Sequence, residues 1–226
     1  MSIKKEFSRF ANSYENYKII QKRVASYLVS KIDKKPKNIL DLGAGSGEVY
    51  KNIDWEIENF IACDASKEML SLHPGGVEKI VCDFNQKSCF EILKKKKFDF
   101  IFSSSALQWS KDLNFTLNNI TSFNKPCAFS IFTDKTFETI HKIASIKSPI
   151  YSLKKILYLI NRYFLINFEI KRYRLFFQDR YSMFRYIKKS GVSSGRKILS
   201  YKQTKELIRS YPYSYLEFEV VFIWTK

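Results

Sequence analysis

Histidine and cysteine are scarce in this chain of 226 residues, with two of the first and four of the second. Cys63, Cys82, Cys89 and Cys127 include no C-x-x-C pair, so their spacing offers no metal centre. Cys63 and Cys82 stand in apolar runs and read as small core residues with reduced thiols. Acidic residues are in deficit, 22 against 39 lysines and arginines, for a formal net charge of +17. A field of that sign draws nucleic acid, an acidic membrane surface or an acidic protein. Lysines spread along the chain, as in Lys4-Lys5, Lys34-Lys35 and Lys94–Lys97, read equally well as solvated surface. Long apolar runs are missing too. Ile156–Phe168 is broken by Asn161 and Arg162 and is too short to span a bilayer. Met1–Phe10 is charged and no apolar stretch follows it, unlike a secretory leader. The expectation is a cytoplasmic chain with no membrane span.

What is present is globular: 45% hydrophobic and 16% aromatic residues, enough for one domain over 1–226. The organising stretch is Asn38–Tyr50. Ile39, Leu40 and Leu42 form a short apolar run that reads as a buried strand. Gly43, Gly45 and Gly47 follow at alternate positions, which lets the backbone turn tightly and lie directly against a ligand. A helix is expected to open near Glu48. Asp41 is the odd residue of the apolar run, a carboxylate able to hold an amino group or order the loop. The dinucleotide fingerprint G-x-G-x-x-G needs glycine six positions on from Gly43; that position is Glu48, whose charge at a helix start would repel a pyrophosphate.

The pattern Asp41-Leu-Gly43-Ala44-Gly45-Ser-Gly47 resembles the first cofactor motif of Rossmann-like (class I) S-adenosylmethionine-dependent methyltransferases. That resemblance implies an α/β fold with a mostly parallel seven-stranded sheet flanked by helices. Asn59–Cys63 is the second strand, ended by Asp64-Ala65 with Met69 beyond; Lys79–Cys82 is the third, ended by Asp83-Phe84. Asp64 follows Gly43 at the distance of a strand–helix–strand return. It is read either as the carboxylate for the ribose hydroxyls or as a helix N-cap. By position Asp83 meets the adenine amino group and Phe84 lies along the ring. Phe98–Ser103 is the fourth strand, and residues just beyond it border the ligand crevice of a parallel sheet. The cofactor set is thus Asp41, Gly43, Ala44, Gly45, Gly47, Asp64, Ala65, Met69, Asp83, Phe84 and Ser103, with no metal. The expected layout is a helical cap over 1–35, a cofactor core over 36–148, a lid or insert over 149–168 and the rest of the sheet over 169–226.

Further stretches are similar to the malonyl-acyl-carrier-protein O-methyltransferases of biotin synthesis. They are Phe10-Ala…Tyr14…Gln21, Phe98-Asp…Ser103…Ala106-Leu107-Gln108-Trp109, Phe132-Thr133 with Thr136-Phe137-Glu138, Tyr186-Ile-Lys188…Gly191-Val192, and Tyr211-Pro…Tyr215…Val220. The glycine usual before the fifth strand is replaced by Cys127. The resemblance implies methyl transfer from S-adenosylmethionine to the free carboxylate of malonyl-acyl carrier protein. Tyr14, Gln108 and Trp109 are then acceptor-pocket candidates, and Arg172, Arg174, Arg180 or Arg185 could hold the carboxylate. That carboxylate is ionised at neutral pH, with a pKa of roughly 4, so no general base is needed. An acidic carrier protein gives the basic surface a use. A monomer is expected, with no nucleic acid. Alternatives are another small acceptor (a quinone precursor or small carboxylic acid), an RNA methyltransferase, and a non-catalytic scaffold of the same fold.

Overall fold

The computed structural model describes residues 18–189 and 200–226. A helix α1 (Ile19–Val29) precedes strand β1 (Asn38–Leu42), and β2 (Asn59–Asp64), α2 (Lys67–Ser71), β3 (Glu78–Val81) and α3 (Lys87–Leu93) follow. Then come β4 (Phe100–Ser104), α4 (Leu113–Thr121), β5 (Cys127–Phe132), α5 (Glu138–Ile143) and α6 (Leu153–Ile160). The chain closes with β6 (Ile166–Phe176), α7 (Arg180–Lys189), α8 (Tyr201–Ser210) and β7 (Tyr215–Thr225). The strands make one seven-stranded sheet in the order β3-β2-β1-β4-β5-β7-β6. Neighbours are parallel except β7, which runs against both β5 and β6. This is the doubly wound arrangement the glycine motif implied.

Successive side chains of a strand point to opposite faces, and the core divides accordingly. Ile39, Phe60, Ala62, Phe100, Phe102, Ala128, Phe132 and Phe222 pack on one face against Ile20, Val24, Ala25 and Leu28 of α1 and against Met183 and Leu207. Leu40, Leu42, Ile61, Cys63, Ile101, Phe129, Ile131 and Val221 pack on the other, against Phe90, Leu117, Ile120, Ile156 and Ile160. The near-continuous apolar strands follow from this covering of both faces.

Two expectations are corrected here. No α-helix opens near Glu48; the loop runs through turns into a single 3-10 turn at Tyr50–Asn52. Asn52 Nδ2 donates to the Glu48 carbonyl at 2.7 Å, and the chain leaves in an extended conformation at Ile53, so local side-chain bonding ends the helix after one turn. The segment 149–168, expected as a lid or insert, is not set apart from the sheet. Its helix α6 buries Ile156, Leu159 and Ile160 in the second core, and Tyr151 Oη donates to the Ser110 carbonyl at 2.9 Å. It is the layer helix of the crossover from β5 to β6, and 166–168 already belong to β6.

Candidate active site

The site forms where β1, β2, β3 and β4 end on one edge of the sheet. The N–H groups of Gly43 and Ala44 both donate to the Cys63 carbonyl, at 2.7 and 2.9 Å, which staples the glycine loop to β2. Gly43 has φ +82° and lies so close to β4's exit that a Cβ there would collide with Ala106 Cβ; Phe84 Cε1 would sit 3.6 Å away. Gly47, at φ +84°, would drive a Cβ to 2.7 Å from His73 Cδ2. Both positions therefore exclude any side chain, leaving bare main chain toward the crevice. Ala44 is buried, and Met69 approaches Gly45 from α2, its Cε 3.5 Å from where a Cβ would be.

Asp64 orders this loop from the end of β2. Gly45 N donates to its Oδ2 at 2.9 Å and Ser66 N to its Oδ1 at 2.8 Å. The helix-cap role falls instead to Ser66, whose hydroxyl accepts from Met69 N. Burial pushes the Asp64 carboxyl up, opposed by these backbone donors. Asp83 ends the adjacent strand. Its Oδ1 accepts from both Asn85 N and Asn85 Nδ2, at 2.9 and 2.8 Å, and Asn85 Oδ1 in turn accepts from Lys111 N at 2.7 Å.

Asp41 is 1% exposed, and among the described residues neither carboxylate oxygen has a hydrogen-bond partner. Burial raises its pKa well above the ordinary carboxyl value, and the nearby Asp64 adds to the shift. A buried carboxyl without a donor costs free energy; a cationic or N–H-bearing ligand in the cradle would repay it.

Lys18 was not singled out by the sequence, where it read as one of many surface lysines. It is fully buried. Its ammonium donates to Ser46 Oγ at 3.0 Å and pairs with Glu48, to which Lys51 also pairs at 3.0 Å. Glu48 is thus neutralised, so its charge alone does not argue against a pyrophosphate. What still departs from the dinucleotide fingerprint is the missing third glycine, at whose position Glu48 stands. Only the position of Lys18 beside the aromatic run before α1 could have hinted at burial.

Beyond β4 the expected pocket residues have specific tasks. Ser103 is fully buried and donates to the Leu42 carbonyl at 2.6 Å, so it braces the end of β1 rather than offering its proton to a ligand. Ser105 adopts φ +57°, the left-handed region that strains a residue with a side chain. Gln108 lies in a 3-10 turn with Trp109. Its Nε2 donates to the Ser105 carbonyl at 2.6 Å; among the described residues buried Gln108 Oε1 and Ser105 Oγ have no partner. Tyr14 lies outside the described residues. Three of the four candidate arginines are engaged elsewhere. Arg172 pairs with Glu219 at 2.8 Å, Arg174 lies 4.8 Å over the Tyr215 ring, and Arg180 donates to the Arg209 carbonyl at 2.6 Å. β6, which carries Arg172 and Arg174, is the edge strand farthest from the glycine loop on its side of the sheet. His73 packs on Tyr50 and Phe60, and burial lowers its pKa and that of His141.

The cysteine expectation is corrected. Cys82 and Cys89 form a disulfide, and Cys63 Sγ lies 2.9 Å from Cys82 Sγ and 3.8 Å from Cys89 Sγ. Spacing along the sequence could not reveal the cluster, because β2, the residue just past β3, and α3 supply one sulfur each.

S-adenosylmethionine fits this donor set. The glycine loop offers close main-chain approach, Asp64 keeps lone pairs for vicinal hydroxyls, and the partnerless Asp41 suits a cationic amino group. Residues 40–132 match the methyltransferase domain family. A crystal structure of an S-adenosylmethionine-dependent methyltransferase from Thermotoga maritima superposes with a TM-score of 0.61 at 16% identity, covering 99% of each chain. Haemonchus contortus phosphoethanolamine N-methyltransferase 2, solved with S-adenosylmethionine, gives 0.57 at 15% identity and covers 60% of that enzyme. In its fold, and over residues 40–132 in its sequence, the chain is similar to S-adenosylmethionine-dependent methyltransferases of the Rossmann-like class. Within that class its sequence relatives are malonyl-[acyl-carrier protein] O-methyltransferases. The Calditerrivibrio nitroreducens protein of that name is 26% identical over 208 residues, 88% of this chain and 82% of the relative. The Acetivibrio thermocellus protein is 31% identical over 150 residues, 60% of this chain and half of the relative. Among the described residues no helix is long and apolar enough to cross a membrane.

Proposed function

We propose that this chain methylates the free carboxylate of a malonyl thioester carried by acyl carrier protein, giving a methyl ester that serves as primer in pimeloyl and biotin synthesis. The observation that carries the reading is the relationship to enzymes of that name across 88% of the chain, joined to a cradle whose donors suit S-adenosylmethionine. When bound, that cofactor supplies an electrophilic methyl group on a sulfonium.

The chain's own residues then have distinct work. Asp64 accepts from the ribose hydroxyls while holding Gly45 and Ser66 in place. Asp83 turns its free oxygen to the adenine amino group, and Phe84 lies beside Gly43 as a flat apolar wall. Asp41 receives the amino-acid end of the cofactor. Gln108, whose amide nitrogen is committed to Ser105, offers an acceptor oxygen; it suits an N–H of the carrier's thioester arm better than the carboxylate. Trp109 forms a wall of the acceptor pocket. No proton has to be removed from a carboxylate that is already ionised, so no general base is required. The chain contributes placement and exclusion of water from a reactive anion.

A groove of about 450 Å³ beyond β5 is lined by Lys135, Lys142 and Lys147 together with Asp134 and Glu138, and Glu138 pairs with Lys135 and Lys142; in this reading the net positive charge of the chain as a whole steers the acidic carrier. Nucleic acid and a second copy of the chain have no part in this reading, which sets the protein in the cytoplasm with its carrier. Intact-mass analysis of malonyl-loaded carrier after incubation with enzyme and cofactor tests it. A gain of one methyl, absent from acetyl-loaded carrier, is the expected result; no gain in protein that binds S-adenosylhomocysteine discards the acceptor and keeps the cofactor.

A further inference from the structure

We infer that Cys82 and Cys89 form a reversible thiol–disulfide site beneath the adenine side of the cradle, and that its redox state sets how tightly the chain holds the adenosine part of its cofactor. The inference rests on the proposed cofactor geometry and goes beyond it.

The bridge closes a short loop, Asp83-Phe84-Asn85-Gln86, between the end of β3 and the first turn of α3. Every residue the third strand offers to the cofactor lies inside that loop. Asp83 is already ordered by Asn85, and Gln86 N donates to the Asp83 carbonyl at 2.8 Å. Asn85 Oδ1 accepts from Lys111 N, which ties the same loop to the chain just past Gln108 and Trp109. Cys82 N also donates to the Asp64 carbonyl at 3.0 Å. A bond at Cys82 is therefore one residue from Asp83 and one main-chain hydrogen bond from the Asp64 residue.

The three sulfurs are not equivalent. Cys63 and Cys89 are buried, 0% and 1% exposed, whereas Cys82 is half-buried, so a thiol from outside reaches Cys82 first. Cys63 is close enough to exchange into the bridge, but burial and the carboxylates of Asp64, Asp41 and Asp83 hold it as a thiol, the form that does not attack. Reduction by a dithiol is balanced without further reagents. The dithiol's thiolate bonds to Cys82 Sγ, the Cys82–Cys89 bond breaks, and Cys89 leaves and takes a proton. The dithiol's second sulfur then closes on its first and frees Cys82, which takes the other proton; two electrons pass to the protein. The loop thereby loses a covalent closure and its pre-ordering for adenine.

The test compares the full chain equilibrated with oxidised or reduced dithiothreitol. Thiols are counted by alkylation under denaturing conditions with intact mass, disulfides are mapped by peptide mass, and S-adenosylhomocysteine binding is measured by calorimetry. The oxidised chain is expected to show two alkylated cysteines, with the bridge mapping to Cys82–Cys89, and the reduced chain four. Affinity falls on reduction by roughly three- to tenfold, the scale of a few freed torsions. Cys89→Ser is expected to bind as the reduced chain does, whatever the reductant. Four reactive thiols in both states, a bridge mapping to Cys63, or equal affinity in both states would overturn the inference while leaving the cofactor reading intact. Binding in neither state removes both.

Discussion

The Lys18 ammonium, fully buried, sits 3.0 Å from Ser46 Oγ and pairs with Glu48, so the first described residue of the chain is bolted to the glycine loop. Removing one partner of a buried pair leaves the other charge poorly solvated. Lys18→Met is expected to cost about 2–3 kcal/mol in urea denaturation, below the usual range for buried pairs because Lys51 still faces Glu48. Adding Glu48→Gln is expected to restore more than half of the loss. Independent, additive losses would show that the pair does not couple.

Asp64 accepts from the loop N–H groups of Gly45 and Ser66, and the proposed function gives it the ribose hydroxyls as well. Asp64→Asn keeps one carbonyl acceptor and loses a charge-assisted bond. S-adenosylhomocysteine affinity is expected to fall about 10- to 100-fold, the equivalent of losing one or two such bonds. Calorimetry reads this directly, and unchanged affinity would sink the ribose assignment.

Gly43 combines a left-handed backbone with contact at Ala106. Gly43→Ala therefore meets both strain and overlap, each about 1–3 kcal/mol, and is expected to lower the thermal midpoint and abolish cofactor binding. Ala106→Gly in the same chain removes the overlap but not the strain. Partial recovery of the midpoint is the expected outcome, and full recovery would mean that the φ of +82° is not itself costly.

Asp41 makes stability depend on pH. Its folded pKa lies well above the ordinary carboxyl value because of burial and Asp64, so the folded chain keeps a proton that the unfolded chain loses near pH 4, at a pKa of about 3.9. The unfolded state then binds fewer protons, and stability falls as pH rises from there toward the folded pKa. Asp41→Asn is expected to flatten that fall in ligand-free protein, read by urea denaturation at stepped pH. In the parent chain, ligand binding that ionises Asp41 is expected to release protons. The calorimetric enthalpy then varies with the buffer's ionisation enthalpy, and in Asp41→Asn this variation disappears.

Much of the architecture was legible because it is written in local patterns. Ile39-Leu40-Asp41-Leu42 followed by Gly43, Gly45 and Gly47 needs only a strand period and the steric freedom of glycine to be read as strand and ligand loop. Asp64 and Asp83 stand out as carboxylates at the ends of apolar runs. Where side chains bond their own neighbourhood, the reading failed nearby: Asn52 turned the expected helix after Glu48 into a single 3-10 turn. The amphipathic stretch at Ile156–Ile160 was recognised as apolar on one side, but periodicity does not say which surface it covers, and the sheet, not the pocket, took it.

By itself the sequence determined the element order, the glycine cradle and the identities of the carboxylates around it, because each follows from residues adjacent or periodic in the chain. Only the tertiary structure decided which polar groups are spent and which are left over. Lys18 is buried against Ser46 and Glu48, Ser103 is committed to Leu42, Arg172 is paired with Glu219, and Asp41 remains without a donor. Three cysteines from three segments meet beside the adenine loop. Each of these depends on contacts between distant segments, and burial and partnership are properties of the packed fold rather than of any stretch of chain.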